Sequence, residues 1–535
     1  MKPIKFNQLL ISLITVVFII LIAYFFTQVH LLEQHAVDGG LVLSKKIIYP
    51  DNFPPLKDYY FGAWTSIHQI AALLFKLDWS VLSVSKFFIF IIAIFYLLGT
   101  MYVLQSFTKS TVIALFISIM ILIFQKNFGD TDYPTLFFTP HTFGALSLAL
   151  TTCIFGLVFL GNLFWVGFLS ILLISVHPVN GIWTSSMIFA SIIFVKLILK
   201  EKLNLGTWFY GIGLGTLITA VSFYFYYSQS YYSSSLVDTE ALNNYFKYWE
   251  GHRTMTKEYH LEYFLKTLLL FILGVFSLLK LQFLKKSIRM GILTVLISIL
   301  SSSIIYFVYK IFHNNMDFPF WFIQIMPTRF TIMHSVIGWP IILGIVFVLI
   351  KEYGKERKSF QYLAPITIIF IASLYTIQHN KTLFSIKNSY IKNVNYQKTL
   401  FKKNHFWETI KSAEFKGYIL TSGSSSTITF RKSLKPILLN PGSIDGVPYF
   451  PKTAARLAVI IEEIYGISFS DPPLELRNRA AINDDFIKLS FEKYSKEKWQ
   501  YLSDKFKIDA IVIPVNWNIS LVPLAKNDRF AFYVI

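Results

Sequence analysis

Acidic side chains lie in two of the segments that separate the apolar stretches of this sequence. Asp38 follows the first apolar stretch in HLLEQHAVDGGLVLSKK, and Asp130 and Asp132 flank one threonine in FGDTDYP. A carboxylate beside an apolar segment costs desolvation unless it is paired, bound to a cation or hydrated, so such acids mark candidate functional clefts. One acid can act as a general base, and two can also coordinate one divalent ion. Solvated loop positions are the alternative explanation for the same residues.

Candidate substrate-binding residues occur in three later segments. His177 begins the turn HPVNG, Trp249, His252 and Arg253 lie in YWEGHR, and Arg329 lies in MPTRF. An aromatic wall with nearby cations suits a lipid-linked phosphate or the face of a sugar. Each segment also has an ordinary explanation, because helix ends use polar groups, membrane interfaces are rich in aromatic residues, and arginine side chains extend toward the membrane surface.

The elements that must position these residues are membrane-spanning helices. Hydrophobic residues make up 54% of the chain, charged residues 15%, and the mean hydropathy is +0.53, which excludes one soluble globule. The apolar residues form continuous blocks of about 20, which match a hydrocarbon core of about 30 Å, whereas a barrel would alternate in segments of about ten. The sequence therefore predicts an α-helical polytopic membrane protein with about eleven transmembrane helices.

The predicted spans follow the apolar blocks. They are 8–27, 84–104, 110–125, 140–160, 163–177, 182–199, 206–227, 263–280, 290–311, 335–350 and 361–378. The apolar segment 61–76 is short and opens with aromatic residues, so it predicts an interfacial or re-entrant helix.

Charge distribution predicts the orientation. Lys2 and Lys5 precede a first apolar block without a small-residue cleavage site, which indicates an uncleaved anchor with a cytoplasmic N-terminus. The loops then predicted inside carry lysine and arginine, and the opposite loops carry the acids. The net charge of +19 is thus mainly an orientation signal, and nucleic acid is excluded as the expected partner.

The composition changes near residue 380. We predict a transmembrane domain over 1–379 and a soluble α/β domain over 380–535, which an odd number of spans places on the extracytoplasmic, periplasmic side. Short apolar runs predict strands, and helical spacing predicts helices. The strand runs are 418–420, 437–439, 510–515 and 530–535, and the helical runs are 452–466 and 484–506.

The motifs of common soluble enzymes are absent from the sequence. It contains no Walker or dinucleotide glycine loop, no HExxH and no GxSxG. The single cysteine, Cys153, allows no intramolecular disulfide and no cysteine zinc site. No cofactor is evident, and Asp130 and Asp132 leave a divalent metal ion as an option.

These segments together resemble the GT-C glycosyltransferases, polytopic enzymes that use sugars linked to polyprenyl phosphate. The resemblance rests on the first outer loop with Asp38 and its following amphipathic helix, the acidic loop GDTDYP, the turn HPVNG, the outer segment PTRF and the terminal outer α/β domain. The pair of first-loop acids found in many members is reduced here to Asp38, with Glu33 preceding it.

What the resemblance implies is transfer of a sugar from a polyprenyl-phosphate-linked donor to a glycan, lipid or protein acceptor at the outer face of the cytoplasmic membrane, among membrane lipids. Asp38 would be the analogous general base. Asp130 or Asp132 would be a base or metal ligand, and Arg329 or Arg253 would contact the donor phosphate.

Two other classes of protein fit the sequence. A lipid-linked glycan carrier, flippase or transporter would need polar groups at mid-membrane depth, and a non-catalytic envelope assembly protein would bind a partner through its outer domain. In an enzyme, Asp38, Asp130, Asp132 and Arg329 should converge on one outer-facing cavity, whereas in an assembly protein they should scatter.

Overall fold

The chain divides into two compact units in a computed structural model. Unit 1 comprises Met1–His35, Leu82–Tyr224 and Thr256–Asn395, and unit 2 comprises Ala36–Val81, Phe225–Met255 and Tyr396–Ile535. The residues described are 6–29, 35–50, 65–124, 143–198, 200, 203–229, 236–254, 261–312, 322–323, 325–353, 387–388, 390–392, 394–395, 398 and 404–535.

Most of the described residues are helical. The helices before residue 354 are α1 (Phe6–Val29), α2 (His35–Leu43), α3 (Ser66–Lys76), α4 (Val81–Thr108), α5 (Thr111–Phe124), α6 (Phe143–Leu160), α7 (Leu163–Val176), α8 (Pro178–Leu197), α9 (Leu205–Gln229), α10 (Thr239–Asn244), α11 (Gly251–Thr254), α12 (Leu261–Lys280), α13 (Lys286–Phe312), α14 (Ile332–Ser335) and α15 (Gly338–Tyr353). Those after residue 404 are α16 (His405–Ser412), α17 (Gly423–Ser433), α18 (Ala454–Tyr465), α19 (Asp484–Phe491) and α20 (Lys496–Phe506).

Within the described ranges, seven helical stretches are long and apolar enough to cross a membrane. They are Leu10–Gln28, Val81–Thr108, Pro178–Leu197, Leu205–Ser228, Tyr263–Lys280, Lys286–Phe312 and Arg329–Glu352, and the shorter apolar helices are Thr111–Leu122, Gly144–Leu160 and Leu163–Val176. Every predicted span up to residue 350 overlaps a helix within the described residues, while the span predicted at 361–378 lies outside them. The predicted polytopic helical fold with a C-terminal α/β part is confirmed.

Close helix contacts in unit 1 depend on small residues. A Cβ atom at Gly99 would lie 2.4 Å from the carbonyl oxygen of Thr152, and one at Gly156 would lie 2.5 Å from the carbonyl oxygen of Gly99. Helices α4 and α6 therefore touch backbone to backbone, which is how helices gain packing energy where lipid is as apolar as their side chains. Buried apolar residues of α4, α6, α12, α13 and α15 form a continuous core in this unit.

Unit 2 contains a four-stranded sheet. Its strands are β1 (Tyr418–Thr421), β2 (Ile508–Pro514), β3 (Ala525–Lys526) and β4 (Phe530–Val534), in the spatial order β1-β2-β4-β3. Strand β1 is parallel to β2, and β4 is antiparallel to both β2 and β3. The strands predicted over 418–420, 510–515 and 530–535 are confirmed, whereas the run 437–439 forms only an isolated bridge between Ile437 and Ile419.

The predicted helical run 484–506 is divided into α19 and α20. The break is due to Ser495, whose side chain accepts a hydrogen bond from the backbone of Lys498 and so begins a new helix. The helix predicted over 452–466 is confirmed as α18, which ends where Gly466 adopts a left-handed conformation at φ +66°. The predicted domain boundary between 379 and 380 lies outside the described residues and stays a prediction.

Candidate functional site

The carboxylate of Asp38 is held by the guanidinium of Arg431. Nε of Arg431 donates to Oδ1 of Asp38 at 2.7 Å, and Nη2 donates to Oδ2 at 3.1 Å. Both residues belong to unit 2, Asp38 in the first turn of α2 and Arg431 in the last turn of α17. The Arg431 side chain is 1% exposed and that of Asp38 is 13% exposed. The cation is thus buried, and its acidic partner is slightly exposed.

Two glycines after Asp38 allow α2 to pack closely on α3. A Cβ atom at Gly39 would lie 2.4 Å from Cδ2 of His68, and one at Gly40 would lie 2.6 Å from Cβ of Ala71. His68 is fully buried, and its Nδ1 is 2.7 Å from Oγ1 of Thr65. The Thr65 side chain also accepts from the backbone of His68 and begins α3. The sequence DGG therefore sets the position of the acid.

Tyr49 links this segment to the sheet of unit 2. Its ring lies 6.1 Å from that of Tyr418 in β1, and it is buried. Burial raises the pKa of the Tyr49 phenol well above its usual range, and the negative charge of Asp38 raises it further. Tyr49 therefore remains a neutral phenol, and it lies close enough to Asp38 for an electrostatic interaction.

Asp38 can accept further hydrogen bonds in this arrangement. A carboxylate has about four lone-pair positions, and Arg431 occupies one on each oxygen, so further positions remain for a hydroxyl donor. The two-pronged pairing also fixes the carboxylate in one orientation, which a single contact would not do.

Trp249 lies in the interior of unit 2. It is 0% exposed, its Nε1 donates to the carbonyl oxygen of Phe469 at 2.9 Å, and the two rings stack with centroids 5.8 Å apart. Backbone hydrogen bonds fasten the same segment, because Asn478 N donates to Tyr248 O and Ala480 N to Trp249 O, each at 2.8 Å. These contacts make Trp249 an anchor of the C-terminal part of the chain, and its predicted contact with a substrate stays a prediction.

Arg253 is enclosed in the same segment. Its Nη1 donates to Oε2 of Glu250 at 2.6 Å, its guanidinium lies 4.9 Å from the ring centroid of Tyr449, and both charged side chains are buried. A buried pair of this kind fixes a local conformation at the cost of desolvating two charges. The side chain of His252 lies outside the described residues.

His177 caps the N-terminus of α8 in unit 1. Its Nδ1 accepts from the backbone of Asn180 at 3.4 Å, Pro178 occupies the first turn, and the amide of Asn180 donates to the hydroxyl of Ser147 in α6. The turn HPVNG thus joins α6, α7 and α8 through a capped helix start. This is the helix-end role that the sequence also allowed, and a substrate contact for His177 stays a prediction.

Arg329 lies in the 3₁₀ turn Pro327–Thr331 of unit 1. The turn begins after Met326, which has a left-handed backbone at φ 50°. Phe330 stacks on Trp183 with ring centroids 4.2 Å apart and an interplanar angle of 6°. The hydroxyl of Tyr263 donates to the carbonyl oxygen of Thr331 at 2.8 Å. Contacts on both sides of Arg329 therefore hold its backbone.

Sequence reasoning missed a buried polar cluster in unit 1. Nζ of Lys266 donates to the hydroxyl of Ser335 at 2.6 Å, and the ring nitrogens of His334 lie 3.2 Å from the hydroxyl of Tyr263 and 3.3 Å from that of Ser298. Lys266 is 6% exposed and His334 is fully buried. The lysine inside the apolar run LEYFLKTLLLF was the available signal, because a charge within a span marks a candidate site.

The predicted site as a whole stays a prediction. Asp130 and Asp132 lie outside the described residues, and within the described ranges no group of three or more His, Cys, Asp or Glu side chains could hold a metal ion. Asp38, Trp249 and Arg253 belong to unit 2, and His177 and Arg329 belong to unit 1. Their convergence on one cavity and a metal at Asp130 and Asp132 stay predictions.

Comparison with known proteins gives similarity in structure. No protein-family model and no curated protein matches this sequence. Similar solved structures include the oligosaccharyltransferase of Archaeoglobus fulgidus in complex with Zn and sulfate, with a TM-score of 0.46 and 10% identity over 93% of this chain and 68% of that chain. Another is ArnT from Cupriavidus metallidurans bound to undecaprenyl phosphate, with a TM-score of 0.46 and 10% identity over 98% of this chain and 97% of that chain. Similarity at this level leaves function to be inferred from the site.

Proposed function

We propose that this chain is a membrane glycosyltransferase that moves a sugar from a polyprenyl-phosphate-linked donor to a glycan, lipid or protein acceptor at the outer face of the cytoplasmic membrane. The observation that carries the proposal is the oriented, partly exposed carboxylate of Asp38 with the buried cation of Arg431 behind it. The polytopic fold supports a substrate that is itself embedded in lipid.

In the proposed reaction, an acceptor hydroxyl donates a hydrogen bond to Asp38. As the hydroxyl oxygen attacks the anomeric carbon, its proton passes to the Asp38 carboxylate, and the bond between the sugar and the phosphate breaks. The polyprenyl phosphate leaves with the bonding electrons, so a cation must stabilise its growing charge. The candidates for this part predicted from the sequence are Arg329 and Arg253. Arg431 acts as a positioning residue, because its bonds fix the orientation of the base.

The proposal includes an orientation. The lysine-rich and arginine-rich loops face the cytoplasm with the N-terminus, and Asp38 and the C-terminal residues 404–535 face the opposite side. Cysteine variants at exposed positions, one near each face, test this by labelling with a reagent that cannot cross the membrane. Labelling at Lys526→Cys but not at Lys286→Cys in intact cells is the expected result, and the reverse pattern would overturn the orientation.

The experiment that tests the activity is transfer of radiolabelled sugar by isolated membranes supplied with a panel of polyprenyl-phosphate sugars. Asp38→Asn should lower transfer at least about 100-fold, because it removes the proton acceptor. Asp78→Asn is the matched control, since Asp78 also lies in unit 2 and pairs with a lysine, Lys46, but is exposed. Transfer unchanged in Asp38→Asn would assign the base elsewhere, and no transfer across the whole panel would overturn the proposed function.

Asp38 also joins α2 to α17, so activity must be separated from folding. Rates are therefore compared per amount of protein that elutes as a single species in detergent. A base affects the rate constant kcat and leaves donor binding intact, whereas a residue that only maintains the fold affects both. The proposal requires Asp38→Asn to retain binding of the lipid donor while losing turnover.

A second candidate function is transport of a lipid-linked glycan. The observation that favours it is the buried cluster of Lys266, His334 and Tyr263, because buried ionisable groups in membrane helices often line a substrate or proton path. Flux of a lipid-linked sugar across proteoliposomes without any transfer, lost in Lys266→Met, would establish this function. Transfer without flux would exclude it.

A further inference from the structure

A groove of about 620 Å³ lies along helices α12 and α13 of unit 1. Its volume falls within the range of about 300 to 1,000 Å³ that is usual for ligand pockets. On α12 it is lined by Leu261, Phe264 and Leu268, which recur at helical spacing and so form one stripe. On α13 the lining runs from Ile299 to Lys310, which spans roughly 16 Å at the helical rise. The groove is therefore elongated along the helix axes.

The side walls of the groove lie on the outer surface of unit 1. Phe264 is 56% exposed, Leu268 44%, Leu300 50% and Phe307 55%. In a helix that crosses a membrane, such exposed apolar side chains face lipid, so the groove is accessible from the hydrocarbon. A ligand that enters by this route must itself be dissolved in the membrane.

The two ends of the groove differ in polarity. Leu268, Phe271 and Ile299 line one end, and Tyr306, Lys310 and Thr331 line the other, where α12 begins and α13 ends. Lys310 lies in the last turn of α13, with its Nζ 6.0 Å from the ring centroid of Tyr306. An anionic headgroup beside a cation and two hydroxyl groups, followed by a single apolar chain, matches this gradient.

We propose that this groove binds the polyprenyl chain of the lipid donor and places its phosphate at Lys310. This inference rests on the proposed function, which supplies a polyprenyl phosphate as the occupant. One elongated apolar stripe fits one isoprenoid chain, whereas an ordinary phospholipid would bring two acyl chains to the same opening. The polar cluster of Tyr263 lies directly beneath, because Tyr263 lines the groove and also donates to Thr331. Binding of the polyprenyl chain is thereby linked to the 3₁₀ turn that contains Arg329.

The test is native mass spectrometry of the purified full-length protein in detergent with a synthetic polyprenyl phosphate, the matching polyprenol and phosphatidylglycerol. Leu268→Trp should block the groove and weaken polyprenyl phosphate binding at least about tenfold. Leu265→Trp is its control, since Leu265 is a 53% exposed residue of α12 that does not line the groove.

Lys310→Gln should weaken binding of polyprenyl phosphate about fivefold and leave binding of the polyprenol unchanged. Lys286→Gln, at the other end of α13, is the control for this variant.

The outcomes separate this inference from the proposed function. If groove variants bind polyprenyl phosphate like the unaltered protein, or if phosphatidylglycerol displaces it at equal concentration, the inference is overturned, even where sugar transfer is observed. If the groove variants weaken binding but no donor supports transfer, the inference stands and the proposed reaction fails. Asp38→Asn, which leaves the groove intact, should bind the lipid as the unaltered protein does.

Discussion

The guanidinium of Arg431 donates two hydrogen bonds to the carboxylate of Asp38, although the two residues are 393 positions apart in the sequence. Arg431 is almost fully buried, and Asp38 is its acidic partner. The orientation of Asp38 therefore depends on the correct folding of the C-terminal part of the chain. In a glycosyltransferase this would couple activity to α17, a helix that contains no predicted catalytic residue.

Replacement of Arg431 by lysine tests this coupling. Arg431→Lys keeps the charge, but an ammonium group cannot form both bonds in the same geometry, so we expect transfer to fall about tenfold. The free energy of unfolding should fall by about 2 kcal/mol, the usual size for hydrogen bonds to charged groups. Transfer rates and thermal unfolding in detergent measure both effects.

The control for this variant is Arg477→Lys, which alters a more exposed pair with Asp471 in the same unit. Arg477 also donates to the carbonyl oxygen of Pro472, so this variant should leave transfer unchanged and lower stability by less than Arg431→Lys does. Equal losses in both variants would show that the geometry at Asp38 has no special role.

The contact between Gly39 and His68 gives a second prediction. A Cβ atom at position 39 would overlap the imidazole of His68, so Gly39→Ala should destabilise the protein by about 1 to 3 kcal/mol and displace Asp38. His68→Ala removes the obstructing ring, and the double variant should be more stable than the sum of the two single effects predicts. A full set of unfolding temperatures for the four proteins measures the coupling, and simple additivity would contradict it.

Much of the fold could be predicted from the sequence because the bilayer imposes a simple rule. A helix such as α4 must be long and apolar to cross it, and both properties are visible without knowledge of packing. Strand β2 was likewise evident, since a buried strand is a continuous run of β-branched and apolar residues. The candidate base Asp38 was identified by type and position alone.

What could not be predicted are contacts between distant segments. Nothing in the local pattern of Arg431 indicates a partner near the N-terminus, because charge pairing has no sequence period. The sequence likewise gives no sign that Trp249, a predicted substrate contact, is buried against Phe469. The segment around Trp249 precedes the predicted C-terminal domain by more than one span, so its membership of unit 2 follows only from tertiary structure.

The anchoring role of Trp249 leads to a third prediction. Trp249→Ala removes a fully buried indole and should destabilise unit 2 by about 3 to 5 kcal/mol. Limited proteolysis of the full-length protein should then cleave within residues 404–535 earlier than in the unaltered protein. Trp165→Ala is the control, because Trp165 is a 46% exposed residue of unit 1. Unchanged cleavage together with weaker binding of the donor would instead support the substrate contact predicted from the sequence.

Tyr49 leads to a prediction about alkaline pH. Its pKa in the folded protein is raised, first by burial and then by the charge of Asp38, above the value of about 10 expected for the unfolded chain. Above about pH 10 the unfolded state therefore loses this proton while the folded state keeps it, so the contribution of Tyr49 to stability is complete below that pH and declines as the pH rises.

Tyr49→Phe has no such proton, and its unfolding temperature should fall less steeply above about pH 10 than that of the unaltered protein, by up to about 1.4 kcal/mol per pH unit in free energy. Part of the decline should persist, because burial also raises the pKa values of Tyr245 and Tyr465. Thermal unfolding in detergent over a series of alkaline buffers measures the difference. Parallel curves for the two proteins would show that Tyr49 is not held as a buried neutral phenol beside Asp38.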